Sequence, residues 1–496
     1  MAELRQIQGY GPNEIIEAIL HKLENEFERA LESVLMRVFS MEKGIGISSG
    51  EKLRENMPPV AVAYSGGLDS TVLLTLSSRI AEKKGFPLLA FHVHHGLNRE
   101  ADAWLAHCRK ICAEQNIGFD SCRVVVDRKS GQGIEAEARR QRYIALNTLC
   151  RQHGVQLLLT AHHQDDQVET VLLQLMRGTG IAGMAGMAPV AKMPESSSEN
   201  RYLGRPLLSI SRERLAQWAH AEGLTHVEDD SNDDVHYTRN AIRHELVPVL
   251  SRIFPGFGKR LEQTAQHMRY ALDILNHTGM LDLQACTTET GTLDLAKASV
   301  FDVGRMDNLL RCWLAANGLN IPSVAWFEQM KRQLLCARPD AAIELPLDRK
   351  IIRRYRTEAI VGMSAEEDDD GNKTVDIRWN GEEVFVLAAW RGKLFFDSGE
   401  SGIDPVWLKK QTLQVRPYSG NAMLKLPKRP TRKLKLLCQE AGIAPWQRKE
   451  MPLVYIGDTL VFAAMLGQSV KYAEKGKKGI RLRWECQEQV SFKRQS

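Results

Sequence analysis

The feature that most restricts how this chain can fold lies between residues 59 and 176. Four short apolar runs alternate there with four longer amphipathic segments. PVAVAYSGG, PLLAFHVHH, FDSCRVVVD and VQLLLTAHH have the length and composition of strands. TVLLTLSSRIAEKK and the segments 99–116, 134–151 and 165–176 have the apolar spacing of helices. Strands alternating with helices predict an α/β fold, a doubly wound parallel sheet covered on both faces. Such sheets bind ligands beyond the carboxyl ends of their strands. SGGLDS, HVHHG and AHHQDD all fall at such ends.

The first strand runs straight into Ser65, Gly66, Gly67, Leu68, Asp69 and Ser70. Glycines let backbone N–H groups approach phosphate oxygens, and a helix starting near Ser70 favours negative charge at its N-terminus. Ser65 and Ser70 add hydroxyl donors. Asp69 repels a phosphate directly, so it is expected to meet one through Mg²⁺. The segment has neither the lysine of a Walker A loop nor the spacing of G-x-G-x-x-G. It matches S-G-G-x-D-S, and so resembles the PP-loop of enzymes that split ATP into AMP and pyrophosphate.

Charge narrows the partner. The 496 residues carry a net charge of +5, yet 401–496 alone hold 19 Lys+Arg against 7 Asp+Glu. A basic tail on a body that is net acidic suggests a polyanion, and nucleic acid is the expected one. Lys425, Lys428, Arg429, Arg432, Lys433 and Lys435 lie close together in it. Nine scattered cysteines form no C-x-x-C pair, which speaks against a cluster, zinc or sulfur transfer. Neither a signal peptide nor an apolar membrane span is legible, so a cytoplasmic location with no membrane partner is expected.

Several further segments resemble, in order, those of the tRNA(Ile)-lysidine synthetase family. They are HVHHGLNREADAW, GIEAEARRQRY, HHQDDQVET, RGTGIAGMAGM, RPLLSISRERL, DDSNDDVHYTRNAIRHELVP and a long C-terminal stretch beginning VRPYSGNAMLKLPKRP. Together with the phosphate-loop segment they span about residues 59–472. The resemblance implies a PP-loop catalytic domain, then a helical domain and a smaller α+β C-terminal domain. The expected boundaries are 1–57 for an N-terminal helical extension and linker and 58–250 for the ATP-binding catalytic domain. A mainly helical substrate-binding domain at 251–375 and a basic tRNA-binding domain at 376–496 follow. Residues 13–39 read as one amphipathic helix, most simply a packing helix.

The resemblance also implies a reaction. A carbon–nitrogen ligase would bind isoleucine tRNA with a CAU anticodon, ATP with Mg²⁺, and free L-lysine. It would adenylate C2 of the wobble cytidine and let the lysine ε-amine displace AMP. A homodimer is compatible with the sequence. Ser65 to Ser70 would hold the nucleotide. Asp166 and Glu169 share a helix face at i and i+3 and could hold an ammonium group and take its proton. The alternative is a pair of solvated acids favoured by the helix dipole, and Asp165 could replace Asp166. Arg142, ahead of Arg139, would neutralise charge on the adenylate. His92, His94, His95, His162 and His163 read as groups near the nucleotide, and no protein metal centre is expected. Gly178, Gly180, Gly183 and Gly186 would let backbone approach the nucleotide or the flipped cytidine. A tRNA thiolase, an amidating synthetase and a non-catalytic tRNA-binding protein are the competing readings.

Overall fold

The computed structural model describes residues 12–41, 57–96, 98–125, 134–194, 200–228, 238–338, 341, 343–363 and 374–486. The chain divides into two compact units, Met1–His277 and Thr278–Ser496.

The first unit is built on a six-stranded sheet. Its strands are β1 (Val60–Ala63), β2 (Leu88–His94), β3 (Gly118–Arg123), β4 (Leu157–Leu159), β5 (Val190–Lys192) and β6 (Tyr202–Gly204), in the order β3-β2-β1-β4-β6-β5. Every pair is parallel except the edge pair β5–β6. The antiparallel edge adds to the expected parallel sheet without changing its class. Alternation along β1 explains the double cover. Val60 and Val62 point into a core shared with helices α1 (Pro12–Met41), α2 (Leu68–Lys84), α3 (Ala101–Glu114) and the later helix 212–221. Ala61 points to the other face, against Tyr143, Leu146 and Leu149 of α4 (Ile134–Gln152).

Strand β1 has β2 on one side and β4 on the other, so the winding reverses between β1 and β4. The crevice at that reversal receives two loops. One is Ser65–Gly67, leading into α2. The other follows β4 and leads into α5 (Gln164–Met176). Beyond them come α6 (Ile181–Met184) and α7 (Arg212–Ala221). Then α8 (Thr238–Ala241) runs through a π-helical turn at Ile242–Leu246 into α9 (Val247–Ile253), and α10 spans Phe257–Cys286. The GIGISSGEK linker, the acidic run 366–370 and the DDSNDDVHY part of the later motif lie outside the described residues.

Helix α1 belongs to the first core. Leu23, Phe27, Leu31, Val34, Leu35 and Val38 are all buried against it. Each such side chain contributes roughly 1.5–3 kcal/mol on burial. The ion pairs along α1, Glu24–Arg79, Glu28–Lys83 and Glu26–Arg214, are at least partly solvent-exposed and individually worth little. Apolar burial therefore holds this helix, as its spacing predicts for a packing helix.

The second unit opens with the end of α10 and the helices Val303–Ala316 and Val324–Cys336. Asp302 and Ser323 cap them, accepting from Arg305 N–H and Trp326 N–H. The helical segment also carries a four-stranded antiparallel sheet between residues 293 and 363, which the apolar pattern of the sequence does not reveal. Its strands are short and charge is not confined to their outer face, Arg354 of Lys350–Tyr355 being buried on the same face as Ile352, so apolar periodicity is weak there. Further on, Leu453–Ile456 and Thr459–Ala463 form the expected hairpin over Gly457–Asp458, with Gly457 at φ 56°.

Candidate active site

The phosphate loop is ordered by its own hydroxyls. Ser65 Oγ and Ser70 Oγ lie 3.0 Å apart, and Ser70 Oγ donates to Gly67 O at 3.0 Å. Thr71 Oγ1 also donates to Gly67 O, at 3.0 Å. Helix α2 starts at Leu68, two residues before Ser70. The two glycines differ. Gly66 sits at φ +90°, and a Cβ there would come within 2.9 Å of Cys108 Sγ. Gly67 has an ordinary negative φ, and its Cβ would meet nothing closer than 3.6 Å. Folding therefore requires Gly66, whereas Gly67 leaves open space where a ligand could approach. Val227 N–H donates to Gly66 O at 3.0 Å, so the segment leading towards 229–237 begins beside this loop.

Asp69, in the first turn of α2, faces the N-terminus of α5. Its Oδ2 lies 3.7 Å from His163 Nε2 and 3.8 Å from Arg212 Nε. Its Oδ1 is enclosed with no hydrogen-bond partner. Burial pushes its carboxyl up, against the opposing charges of His163 and Arg212. An enclosed carboxylate oxygen without a donor suits a divalent cation, so the residues present fit Mg²⁺ accompanying a triphosphate. Among the described residues no group of three or more His, Cys, Asp or Glu is arranged to hold a metal by itself.

The buried His163 carries the link onward. Its Nε2 is 3.4 Å from Asp166 Oδ2, and its N–H donates to that oxygen at 3.0 Å. Burial works to raise the Asp166 carboxyl. The charge of His163 and the bond from the His163 backbone N–H hold it below the usual carboxylate range. Asp165 Oδ2 accepts from Arg212 N–H at 2.7 Å, at the start of α7, and also lies 3.5 Å from His163 Nδ1. Glu169, one turn along α5, is 1% exposed. Both its oxygens are taken: Arg239 Nε donates at 2.8 Å and Arg243 Nε at 2.6 Å. The same two guanidiniums stand 3.8 and 3.7 Å from Asp166 Oδ1. Arg239 and Arg243 went unassigned in the sequence, although R-N-A-I-R spaces them i, i+4 on one helical face.

At the carboxyl end of β2, His92 Nδ1 lies 3.0 Å from Tyr64 O, the last residue before the phosphate loop. Burial lowers the His92 pKa, so its ring is neutral and donates from Nδ1 to that carbonyl. Arg142 Nε donates to His95 Nε2 at 3.2 Å. Burial, then the Arg142 charge, bring His95 down to about 4, which leaves its ring neutral and able to accept. Arg139 instead lies over the Tyr143 ring, 5.3 Å from its centroid. Burial lowers His162 to about 3, and its Nδ1 lies 2.9 Å from Thr160 Oγ1. Cys108 and Cys112 stand behind the loop as buried thiols pushed up to about 12 by burial. They are packing groups.

The glycine-studded loop after α5 is pinned from below. Gln167 Nε2 donates to Met187 O at 3.1 Å, and Met187 N–H returns a bond to Gln167 Oε1 at 2.7 Å. Arg269 donates to Ala185 O and Met187 O, and Arg205 to Ala188 O. In the second unit, Lys425, Lys428, Arg429, Arg432, Lys433 and Lys435 are all exposed. Arg429 and Arg432 both pair with Glu440.

Residues 40–250 match the PP-loop domain, which defines the class: an enzyme that uses ATP at a loop closing the first strand of a parallel-rich sheet. Residues 293–359 match the TilS substrate binding domain and 413–484 the TilS substrate C-terminal domain. The chain is 39% identical over 440 residues to the tRNA(Ile)-lysidine synthase of Burkholderia pseudomallei, covering 82% of this chain and 89% of that one. It is 39% identical over 421 residues to that of Ralstonia nicotianae, with 83% and 89% covered. With the Shigella flexneri enzyme it shares 34% over 433 residues, with 86% and 96% covered. The chain belongs to the tRNA(Ile)-lysidine synthase family and is an ATP-dependent, tRNA-modifying ligase. None of its described helices is long and apolar enough to cross a membrane.

Proposed function

We propose that the chain joins free lysine to C2 of the wobble cytidine in the CAU-anticodon isoleucine tRNA, in two steps at one site. The C2 oxygen of the cytidine attacks the α-phosphorus of ATP, and pyrophosphate leaves with the electrons of the broken P–O bond. The lysine ε-amine then attacks C2. The C2–O bond breaks, AMP leaves with that oxygen, and the amine gives up a proton. The product, lysidine, pairs with A instead of G, which turns decoding from AUG to AUA.

The observation that carries this reading is the placing of His163 Nε2 between Asp69 and Asp166, 3.7 and 3.4 Å away. A group suited to the triphosphate and a group suited to an amine share one floor. A low carboxyl pKa supports Asp166 as the ionised partner of lysine's ammonium. The same group is proposed, from its place and not from its pKa, to accept the proton released on attack. The bond from Arg212 N–H to Asp165 favours Asp166 over its neighbour. Glu169, held by Arg239 and Arg243, supports a dividing of roles. It fixes two cations where phosphate charge develops, and Asp166 meets the amine. Arg142, bonded to neutral His95, is proposed to neutralise charge on the adenylate.

Ser65, Gly66, Gly67, Leu68 and Ser70 cradle the phosphates. Asp69 would hold Mg²⁺, which supplies charge neutralisation for the triphosphate when bound. Segments 251–375 and 376–496 would carry the tRNA body, with 58–250 doing the chemistry and α1, in 1–57, closing the catalytic core. The enzyme is placed in the cytoplasm, and light scattering of the purified chain decides whether it is a homodimer.

The test is mass analysis of nucleosides after incubation with ATP, lysine and a CAU-anticodon tRNA. Lysidine is expected, and only when all three are present. A sulfur-containing or amidated nucleoside would replace this reading with a thiolase or amidating synthetase.

A further inference from the structure

The three side chains that pin the glycine loop also share a cavity of about 220 Å³. Gln167, Arg205 and Arg269 form one side of it. Ala30, Ser33 and Val34 of α1 close it, and Glu262 and Gln266 of α10 complete its polar lining. The α1 residues precede the 40–250 segment matched to the PP-loop domain, and no lining residue belongs to the phosphate loop or to Asp166 and Glu169. This is therefore a separate site.

Its charge is unbalanced. Among its lining residues two guanidiniums meet a single carboxylate, Glu262, which already accepts from Gln164 Nε2 at 2.6 Å. Asp273, outside the lining, offsets part of the Arg269 charge but is not among the charged neighbours of Arg205. Arg205 is 8% exposed, and its Nε is enclosed with no hydrogen-bond partner. A buried guanidinium whose charge is not offset is costly, and an anion beside it removes that cost. The volume is several times the ~30 Å³ share of one water and suits a compact organic or inorganic ion.

We propose that this cavity binds a small oxyanion, a carboxylate or a phosphate, and that its occupancy tightens the loop at 183–188. The coupling is direct, because the guanidiniums that would meet the anion also donate to Ala185 O, Met187 O and Ala188 O. The proposal does not depend on lysine transfer.

The experiment is hydrogen exchange on the full chain with ATP present, read at the peptide covering 183–188. Sodium acetate, sodium phosphate and neutral acetamide are compared at constant ionic strength. At ten times its dissociation constant, a bound anion should slow exchange there roughly tenfold by linkage. Acetamide should do nothing. Response to acetate alone assigns a carboxylate, and response to phosphate alone assigns a phosphate. Gln266→Glu changes an exposed residue and adds a negative charge to the lining. Ser33→Leu fills the space from the α1 side. Either variant should abolish the slowing. No slowing by either anion, equal slowing by acetamide, or slowing that survives in Gln266→Glu overturns the proposal.

Discussion

Asp69 and His163 come within 3.7 Å of one another although ninety-odd residues separate them in the chain. One lies in the first turn of the phosphate-loop helix, and the other is the residue before α5. Their meeting brings the ATP end of the site to the carboxylates of α5. Substitutions on the two sides of this contact should therefore have separable effects on fold and chemistry.

Gly67→Val should leave the fold intact and abolish AMP formation, because the site has room for a side chain only while no phosphate is present. Gly66→Ala should instead destabilise the protein. Its φ of +90° costs an L-residue roughly 1–2 kcal/mol, and the contact with Cys108 adds to that. Thermal melts beside AMP-release assays separate the two. Equal melting losses for both variants would contradict this division between the glycines.

Asp69→Asn should raise the melting temperature while abolishing AMP formation. Burial raises the Asp69 pKa above its unfolded value of 3.8, so its charged form opposes folding. The stability that its protonated form contributes is fully present below the unfolded pKa and is lost as pH rises through the folded one. Each unit of upward shift costs about 1.4 kcal/mol at neutral pH. The gain from Asp69→Asn should therefore be seen near pH 7 and fade below pH 4. A uniform gain at both would point to something other than charge.

Asp166→Asn should separate the two chemical steps. Adenylation should stay near wild type, while lysine transfer falls at least tens-fold, within the ~10²–10⁴ range of general-base contributions. The lysine concentration for half-maximal rate should rise. Pyrophosphate release would then outrun lysidine formation. Equal losses in both steps would assign Asp166 to the nucleotide.

Glu169→Gln should lower stability by about 1–3 kcal/mol by leaving Arg239 and Arg243 without their shared partner. A double-mutant cycle with Arg243→Gln should give a coupling of about 1 kcal/mol or more. Additive losses would show that the two side chains do not act as a clamp.

Replacing Arg432, Lys433 and Lys435 by Ala should weaken tRNA binding and flatten its salt dependence, leaving ATP affinity unchanged. Each phosphate contact is worth a slope of roughly −0.7 to −0.9. Because Glu440 holds Arg429 and Arg432, Glu440→Gln should tighten binding at low salt. An unaltered slope in the triple variant would make the patch a solubility feature.

Much of this was legible in the sequence because it rests on local rules. Apolar runs of strand length alternating with helical segments dictate a parallel-rich sheet. The glycines after β1 mark the turn where a ligand can sit, and D-x-x-E puts Asp166 and Glu169 on one face of α5. What the tertiary structure alone decided is who meets whom. Asp165 and Asp166 are adjacent acids in sequence and both lie beside His163, yet one accepts from Arg212 N–H and the other meets Arg239 and Arg243. Glu169 reads as a free acid until Arg239 and Arg243, seventy residues on, close on it. Helix α1 has a periodicity that predicts only that it packs. The partners that bury it and the cavity it closes depend on the fold of the whole first unit. Periodicity and turn chemistry act over a few residues and are written in the chain. Charge pairing and burial act through space, and only the folded backbone sets those distances.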